Sequence, residues 1–195
     1  MILYDATLPC IAISYQSTTF HDLKWFLEQD HDIELQRVEP EHLDDCASGQ
    51  FINLITDMSK RKTVSNVLDQ RQMPRFSYIH SSSTVMPATI QGGLFMYPGC
   101  VIYSNAIIGK DVLVHFGSAI AHGVTIGQGT FLSGGVIIAG STSVGEFCWF
   151  GLHASVGDKI SIANNVTVAA NTFIRKSITN PGTYYCPASQ KVRML

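Results

Sequence analysis

Large apolar residues recur at every sixth position through a long stretch of this chain. Counted from Ile90 they are Ile90, Met96, Ile102, Ile108, Val114, Ile120, Ile126, Leu132, Ile138, Val144, Phe150, Val156, Ile162, Val168 and Ile174. If about a third of all positions were of this kind, such a run would arise by chance on the order of once in ten million. The residue after each is mostly small from Gly109 onward, and the residue before the intervening strand position is small or β-branched, as at Ala106, Val112, Ser118 and Val124. An α-helix has period 3.6 and a lone strand period 2, so neither yields six. Period six is the hexapeptide signature of a parallel β-helix. Three hexads close one triangular coil, and residues eighteen apart stack at about 4.8 Å, the spacing of adjacent strands. The aliphatic residue fills the narrow core and the small residues permit the tight corners. Ile79 and Val85 extend the pattern upstream, with a one-residue slip before Ile90. A β-helix of roughly five coils is expected over residues 79–176.

The first 75 residues pattern differently. CIAISY, IELQRV and FINLIT read as strands, and FHDLKWFLEQ and KRKTVSNVLDQR as helices, with Phe20, Leu23, Leu27 and either Trp25 or Phe26 on the inner face of the first. Alternating strands and helices predict a small α/β unit with a parallel sheet. Pro74 and Arg75 mark its end. After Ile174 the period is lost, and NPGTYYCPASQ reads as an extended loop. The expected organisation is an α/β domain over 1–75, a β-helix domain over 76–178 and an extended tail over 179–195.

Composition narrows the class. Of 195 residues, 46% are hydrophobic and 14% charged, against a usual charged share of about 25%, which excludes intrinsic disorder. No run of about 20 apolar residues is present, so no membrane-spanning helix is expected. The start, MILYDATLPCIAISY, has no basic region ahead of its apolar stretch and makes a poor signal peptide, so the expected location is the cytoplasm. Cys10, Cys46, Cys100, Cys148 and Cys186 are scattered without a CxxC pair, which fits reduced, mostly buried thiols. Residues 1–50 hold ten acidic and two basic residues, a net of −8 within a chain whose net charge is −2. An acidic head on a mildly basic body excludes the basic stripe of a nucleic-acid binder.

Four segments carry a family resemblance: FSYIHSSSTV at the entry to the repeats, SAIAHGVTIG with His122, SGGVIIAGSTSVG one coil later, and PGTYYCPASQKV at the exit. FINLITDMSKRKTVSNVL is similar to the last strand and helix of the same family's N-terminal domain. Over residues 51–192 the chain resembles the left-handed β-helix acyltransferases of sugars, in particular sialic-acid O-acetyltransferases and the N-acetyltransferases of nucleotide-linked amino sugars. The resemblance implies left-handed coils, a homotrimer with sites between neighbouring β-helices, acetyl-CoA as co-substrate, and a small-molecule sugar acceptor, with no nucleic-acid or membrane partner. It maps the catalytic histidine onto His122, which would take the proton of an attacking amine or hydroxyl. Histidine suits this role because its ordinary pKa of about 6.5 lies near working pH.

Stacking adds further candidates. Gly140 lies eighteen residues after His122, where a missing side chain lets substrate approach and leaves the N–H as an oxyanion donor. The same corner continues through Asp158 to Lys176. The adjacent corner column runs Phe116, Gly134, Leu152 and Ala170, and two such columns from neighbouring subunits would line a groove for the pantetheine arm. Arg175, Lys176, Lys191 and Arg193 are candidates for the coenzyme phosphates, or else form a solvated basic tail.

Two positions depart from the family pattern. Gly123 stands where the relatives carry an acid that orients the histidine, and no Asp or Glu occurs between Asp111 and Glu146. A backbone carbonyl or His115, one hexad away, is left to orient His122. The stretch SYQSTT lacks the glycines of a phosphate-binding loop. The alternative reading is therefore a non-catalytic trimeric scaffold or sugar-binding protein with a degenerate site. The KRK run at 60–62 is either a phosphate binder or a solvated helix start. A three-histidine metal site is disfavoured, because His115 and His122 are seven apart and His80 and His153 are remote in coil position; no metal is expected. His21, His31 and His42 are expected at the surface. Phe95, Leu113, Phe131 and Trp149 form a vertical apolar ladder that leans outward, either a trimer contact or a docking face for the N-terminal domain.

Overall fold

A computed structural model describes residues 2–3, 5–15, 18–30, 33–46 and 48–186. The N-terminal unit contains β1 (Ile2–Leu3), β2 (Cys10–Ile13), α1 (Thr18–Asp30), β3 (Leu35–Val38), a 3-10 turn at Pro40–Asp45, β4 (Gln50–Asn53) and α2 (Met58–Gln70). The central strand β2 pairs in parallel with β3 on one side and β4 on the other, as the strand–helix alternation predicts. Asp57 caps α2 by accepting the Lys60 N–H at 2.9 Å, one of the donors that a helix start leaves unpaired. On α1 the inward aromatic is Phe26, while Trp25 is exposed.

From β5 (Ser77–Ile79) onward the chain winds as a parallel β-helix with three faces and about six turns. The first face stacks β5, Phe95–Met96, Leu113–Val114, Phe131–Leu132, Trp149–Phe150 and Val166–Val168. The second stacks Thr84–Val85, Val101–Ile102, Ala119–Ile120, Ile137–Ile138, Ser155–Val156 and Phe173–Ile174. The third runs from Thr89–Ile90 to Ser161–Ile162. Partners such as Leu113 and Phe131, or Ile120 and Ile138, are eighteen residues apart. The slip is real: Val85 pairs with Ile102 but Ile90 with Ile108. Core residues such as Ile102, Val114, Ile120, Leu132 and Ile138 are fully buried.

The C-terminal segment corrects one expectation. Gly182–Tyr184 is not a loop but a strand pairing in parallel with Val166–Val168. A ladder needs only backbone N–H and C=O groups, so the hexad can lapse while pairing continues. The chain then reaches further along the first face than five coils.

The apolar ladder on the first face is the docking surface of the N-terminal unit. Phe95 and Leu113 are fully buried in one core with Phe20, Leu23 and Leu27 of α1, and the Phe131 and Trp149 rings stack in parallel 6.5 Å apart. Burying such a side chain stabilises by about 1.5–3 kcal/mol. A polar seam completes the joint, and it overturns both expectations for Arg61. This residue is 0% exposed. Its guanidinium donates to the carbonyls of Asn53 (2.9 Å), Ile55 (2.7 Å), Gly129 (2.9 Å) and Asp111. Burial pulls its pKa down to about 10, so it stays charged at neutral pH and is fully engaged by the fold. Beside it Arg75 pairs with Asp111 at 3.0 Å and with Asp69 at 2.9 Å, and Lys110 meets Asp69 at 2.8 Å.

Candidate functional site

The corner between the second and third faces carries His122. The Ser141 N–H donates to the His122 carbonyl at 2.9 Å, and the Lys159 N–H to the Gly140 carbonyl at 2.9 Å. His122, Gly140 and Asp158 are therefore stacked coil on coil, as the eighteen-residue spacing requires. The imidazole is exposed and lies directly over Gly140. A Cβ built on Gly140 would stand 2.7 Å from His122 Cε1, 2.9 Å from Nε2 and 3.3 Å from Nδ1, well inside ordinary contact distance. Only a glycine lets the ring rest there. The Gly140 N–H has no hydrogen-bond partner among the described residues. The pair thus presents a lone-pair nitrogen and an unpaired amide donor side by side, the two functions that acyl transfer requires.

The chain leaves this corner through Arg175 and Lys176, both exposed. The last turn is tighter than the others, since Ile178 bridges to Ile162. Lys191 and Arg193 lie outside the described residues.

The corner between the first and second faces holds Phe116, Gly134, Leu152 and Ala170 in one column, with the Gly135 N–H on the Phe116 carbonyl (2.9 Å) and the His153 N–H on the Gly134 carbonyl (2.9 Å). The Phe116 ring covers Gly134, 2.5 Å from where a Cβ would stand, and the His153 ring covers Gly135. Phe116 and Leu152 are about half exposed. Within one chain this column and the His122 column are on different corners.

His115 belongs to the first of these corners and not to His122. Its ring stacks on Tyr97 at 4.0 Å and meets Phe116 edge-on at 4.8 Å, and Tyr97 Oη donates to Asp22 of α1 at 2.9 Å. Burial lowers the His115 pKa, with Asp22 opposing, and its Nδ1 is buried without a partner. One hexad of separation turns a side chain to the next corner of the prism, so within one chain adjacency in sequence does not bring the two imidazoles together. His122 itself has no side-chain hydrogen bond among the described residues. His21 and His42 are exposed, and His31 lies outside the described residues. Among the described residues no group of three or more His, Cys, Asp or Glu is placed to hold a metal ion, and no helix is long and apolar enough to cross a membrane.

The stretch SYQSTT, through Tyr15, and the basic run at 60–62, through Lys60, meet at a cavity in the N-terminal unit. This cavity of about 400 Å³ lies at the carboxyl ends of the parallel strands, lined by Tyr15, Pro40, Glu41, Lys60, Val64 and Val67 among others. Tyr15 Oη donates to Glu41 at 2.6 Å, and Lys60 Nζ sits 4.5 Å over the Tyr15 ring. The chain runs from β2 to β3 on one side and from β3 back across β2 to β4 on the other, the kind of reversal at which open parallel sheets bind ligands.

No known family profile matches the chain, and no curated protein matches it. Solved structures do. PerB from Caulobacter crescentus, in complex with CoA and GDP-perosamine, superposes with a TM-score of 0.81 at 17% identity, covering 91% of this chain and 94% of its own. The acetyltransferase domain of PglB from Neisseria gonorrhoeae, in complex with acetyl coenzyme A, gives 0.78 at 16% identity, over 91% and 96%. WeeI from Acinetobacter baumannii gives 0.68 at 12% identity, over 90% and 95%. The likeness is one of fold: a small N-terminal α/β domain followed by a left-handed parallel β-helix of hexapeptide repeats.

Proposed function

We propose that the protein transfers an acetyl group from acetyl-CoA to an amino or hydroxyl group of a nucleotide-linked sugar, with His122 as general base. The observation that carries this reading is the His122 imidazole seated on the open amide of Gly140. The acceptor amine or hydroxyl attacks the thioester carbonyl while His122 takes its proton. Charge that develops on the carbonyl oxygen is met by the Gly140 N–H. Collapse expels the CoA thiolate, which takes the proton from the imidazolium. The fold neighbours described above include proteins crystallised with CoA, acetyl coenzyme A and GDP-perosamine, which supports the same donor and acceptor class here.

The active form in this reading is a homotrimer. The first face is covered by the N-terminal unit, and the third presents Thr89, Ile107, Thr125, Ser143 and Ser161, with Ile107 its one large apolar side chain. The second face is the more apolar of the two left uncovered, with Ile137 52% and Phe173 51% exposed beside Val101 and Ala119, and Thr84 and Ser155 its polar positions. Three copies meeting on that face, around an axis parallel to the β-helix axis, would bring the Phe116–Gly134–Leu152–Ala170 column of one copy level with the His122–Gly140 column of the next. The pantetheine arm then lies between the columns, and Arg175 and Lys176 reach the phosphates. The cavity at Tyr15 and Lys60 offers the acceptor's nucleotide a place at the strand ends.

Calorimetric titration with acetyl-CoA, followed by acetyl transfer to nucleotide amino sugars, tests the proposal. Saturable binding near one per chain and loss of transfer in His122→Ala support it. No binding at millimolar donor, or full activity in His122→Ala, refutes it. The absence of an acid at Gly123 favours the second reading, a trimeric scaffold or sugar-binding protein, which predicts acceptor binding without coenzyme.

A further inference from the structure

We propose that the cavity between the 3-10 turn and α2 holds the base of the acceptor's nucleotide and selects guanine, with Glu41 as the specificity-determining residue; this rests on the nucleotide-linked acceptor proposed above. The walls suit a flat ring. Pro40 and Leu43 line the cavity from the turn, and Val64 and Val67 from α2. Leu43 and Val64 are buried, so these walls are fixed in the core of the unit. The volume of about 400 Å³ falls in the range of small-molecule sites, which begins at about 300 Å³. A second cavity of about 130 Å³ shares Tyr15 and Lys60 with the first and reaches Leu54 and Ile55 beyond the end of β4. The two together give room for a base and for what is attached to it.

The polar side chains of the cavity decide which base fits. The Tyr15 hydroxyl is spent on Glu41 at 2.6 Å, and the Thr63 hydroxyl on the Ser59 carbonyl at 3.2 Å. What the turn then offers is two carboxylates, Glu41 and Asp44, and Arg71 already holds one Asp44 oxygen. The Tyr15 bond fixes the Glu41 carboxylate in place. It also lowers the Glu41 pKa, with Lys60 acting in the same direction, so Glu41 is ionised at neutral pH and can only accept. A carboxylate has about four acceptor sites, and the Tyr15 bond leaves Glu41 able to accept twice more. A base must therefore present donors to this edge. Guanine carries two side by side, N1–H and the N2 amino group, matched to a carboxylate in the bidentate manner. Uracil sets its single N–H between two carbonyl oxygens. Adenine and cytosine set one amino group beside a ring nitrogen that itself accepts. Each of these three brings a lone pair against the carboxylate. Lys60 supplies the cation: its ammonium lies 4.5 Å over the Tyr15 ring and pairs with no carboxylate among the described residues, which leaves it for a phosphate.

The test is calorimetric titration of the full-length protein with GDP, IDP, ADP, CDP and UDP, and it needs no acetyl-CoA. IDP differs from GDP only in lacking the N2 amino group. GDP is expected to bind at least about tenfold tighter than IDP or UDP, the worth of one hydrogen bond to a charged group. Glu41→Gln keeps the shape and an oxygen for Tyr15, and is expected to bring GDP down to the level of IDP without weakening UDP. Lys60→Met is expected to weaken all five alike. Glu41 and Lys60 are both exposed, so the variants are expected to fold, and a thermal melt checks this. UDP binding as tightly as GDP overturns the proposal. So does a Glu41→Gln loss shared equally by all five, which is what contact with the ribose alone would give, and so does binding of none of them at millimolar concentration. The transferase reading stands or falls separately. Guanine selectivity in a protein without acetyl transfer overturns that reading and leaves the base assignment, and transfer without guanine preference does the reverse.

Discussion

Replacing Gly140 by alanine adds one methyl group at the point where the site is tightest. The new Cβ stands 2.7 Å from His122 Cε1 and 2.9 Å from Nε2, whereas carbon contacts are comfortable at about 3.5–4.0 Å. The ring must retreat by about 1 Å. Gly140 is not among the residues with positive φ, so alanine fits its backbone. His122 is exposed, so the ring retreats into open space and the fold loses little. Stability is expected to stay within about 0.5 kcal/mol. Catalysis is expected to fall about 100-fold, the cost of misplacing a reacting group by 1 Å, equivalent to about 2.7 kcal/mol of barrier. Release of the CoA thiol at saturating acetyl-CoA, read with a thiol-reactive dye beside a thermal melt, separates the two effects. A kcat within about twofold of wild type would show that the ring over Gly140 does not carry the chemistry. A large drop in melting temperature would show that the corner is structural.

Other expectations are independent of the acceptor. Arg61→Met leaves four buried carbonyls without a charged donor and is expected to cost about 3–5 kcal/mol in urea unfolding; a loss below about 1 kcal/mol would mean that the apolar face alone holds the two units together. Burial lowers the pKa of His115 from the ordinary 6.5, so the unfolded chain takes up this proton before the folded one does. Stability is thus lost as pH falls below 6.5, down to the folded pKa, and His115→Phe is expected to flatten that part of the stability curve. An unaltered curve would contradict the burial argument. Ile137→Glu places a charge at the centre of the uncovered second face and is expected to yield monomers by sedimentation. A mass unchanged from wild type would place the subunit contact elsewhere.

The N-terminal elements were legible because each has its own local pattern. CIAISY became β2 and FINLIT became β4, and both helices fall where the amphipathic stretches lie. His122 and Gly140 were legible as a stacked pair because an eighteen-residue repeat converts spacing directly into proximity. Arg61 was not legible. In KRKTVSNVL it looks like one basic residue of a solvated turn, and only the docking of α2 against the coils encloses it. His115 was misplaced for the opposite reason, since closeness in sequence says little about which of three corners a side chain occupies. Gly182–Tyr184 lacks the hexad entirely, and its pairing depends on the neighbouring strand's free edge.

The amino-acid pattern by itself determined the β-helix, its register, its one-residue slip and the α/β character of the N-terminal unit. These follow from short-range periodicity, in which each residue's neighbours sit at fixed offsets along the chain. Only the tertiary structure decided which prism face the N-terminal unit covers, which face stays apolar and open, and which polar groups stand near His122. Those outcomes depend on surfaces formed by segments far apart in sequence. The free energy of docking them comes from area buried and carbonyls satisfied together, quantities that no single segment carries.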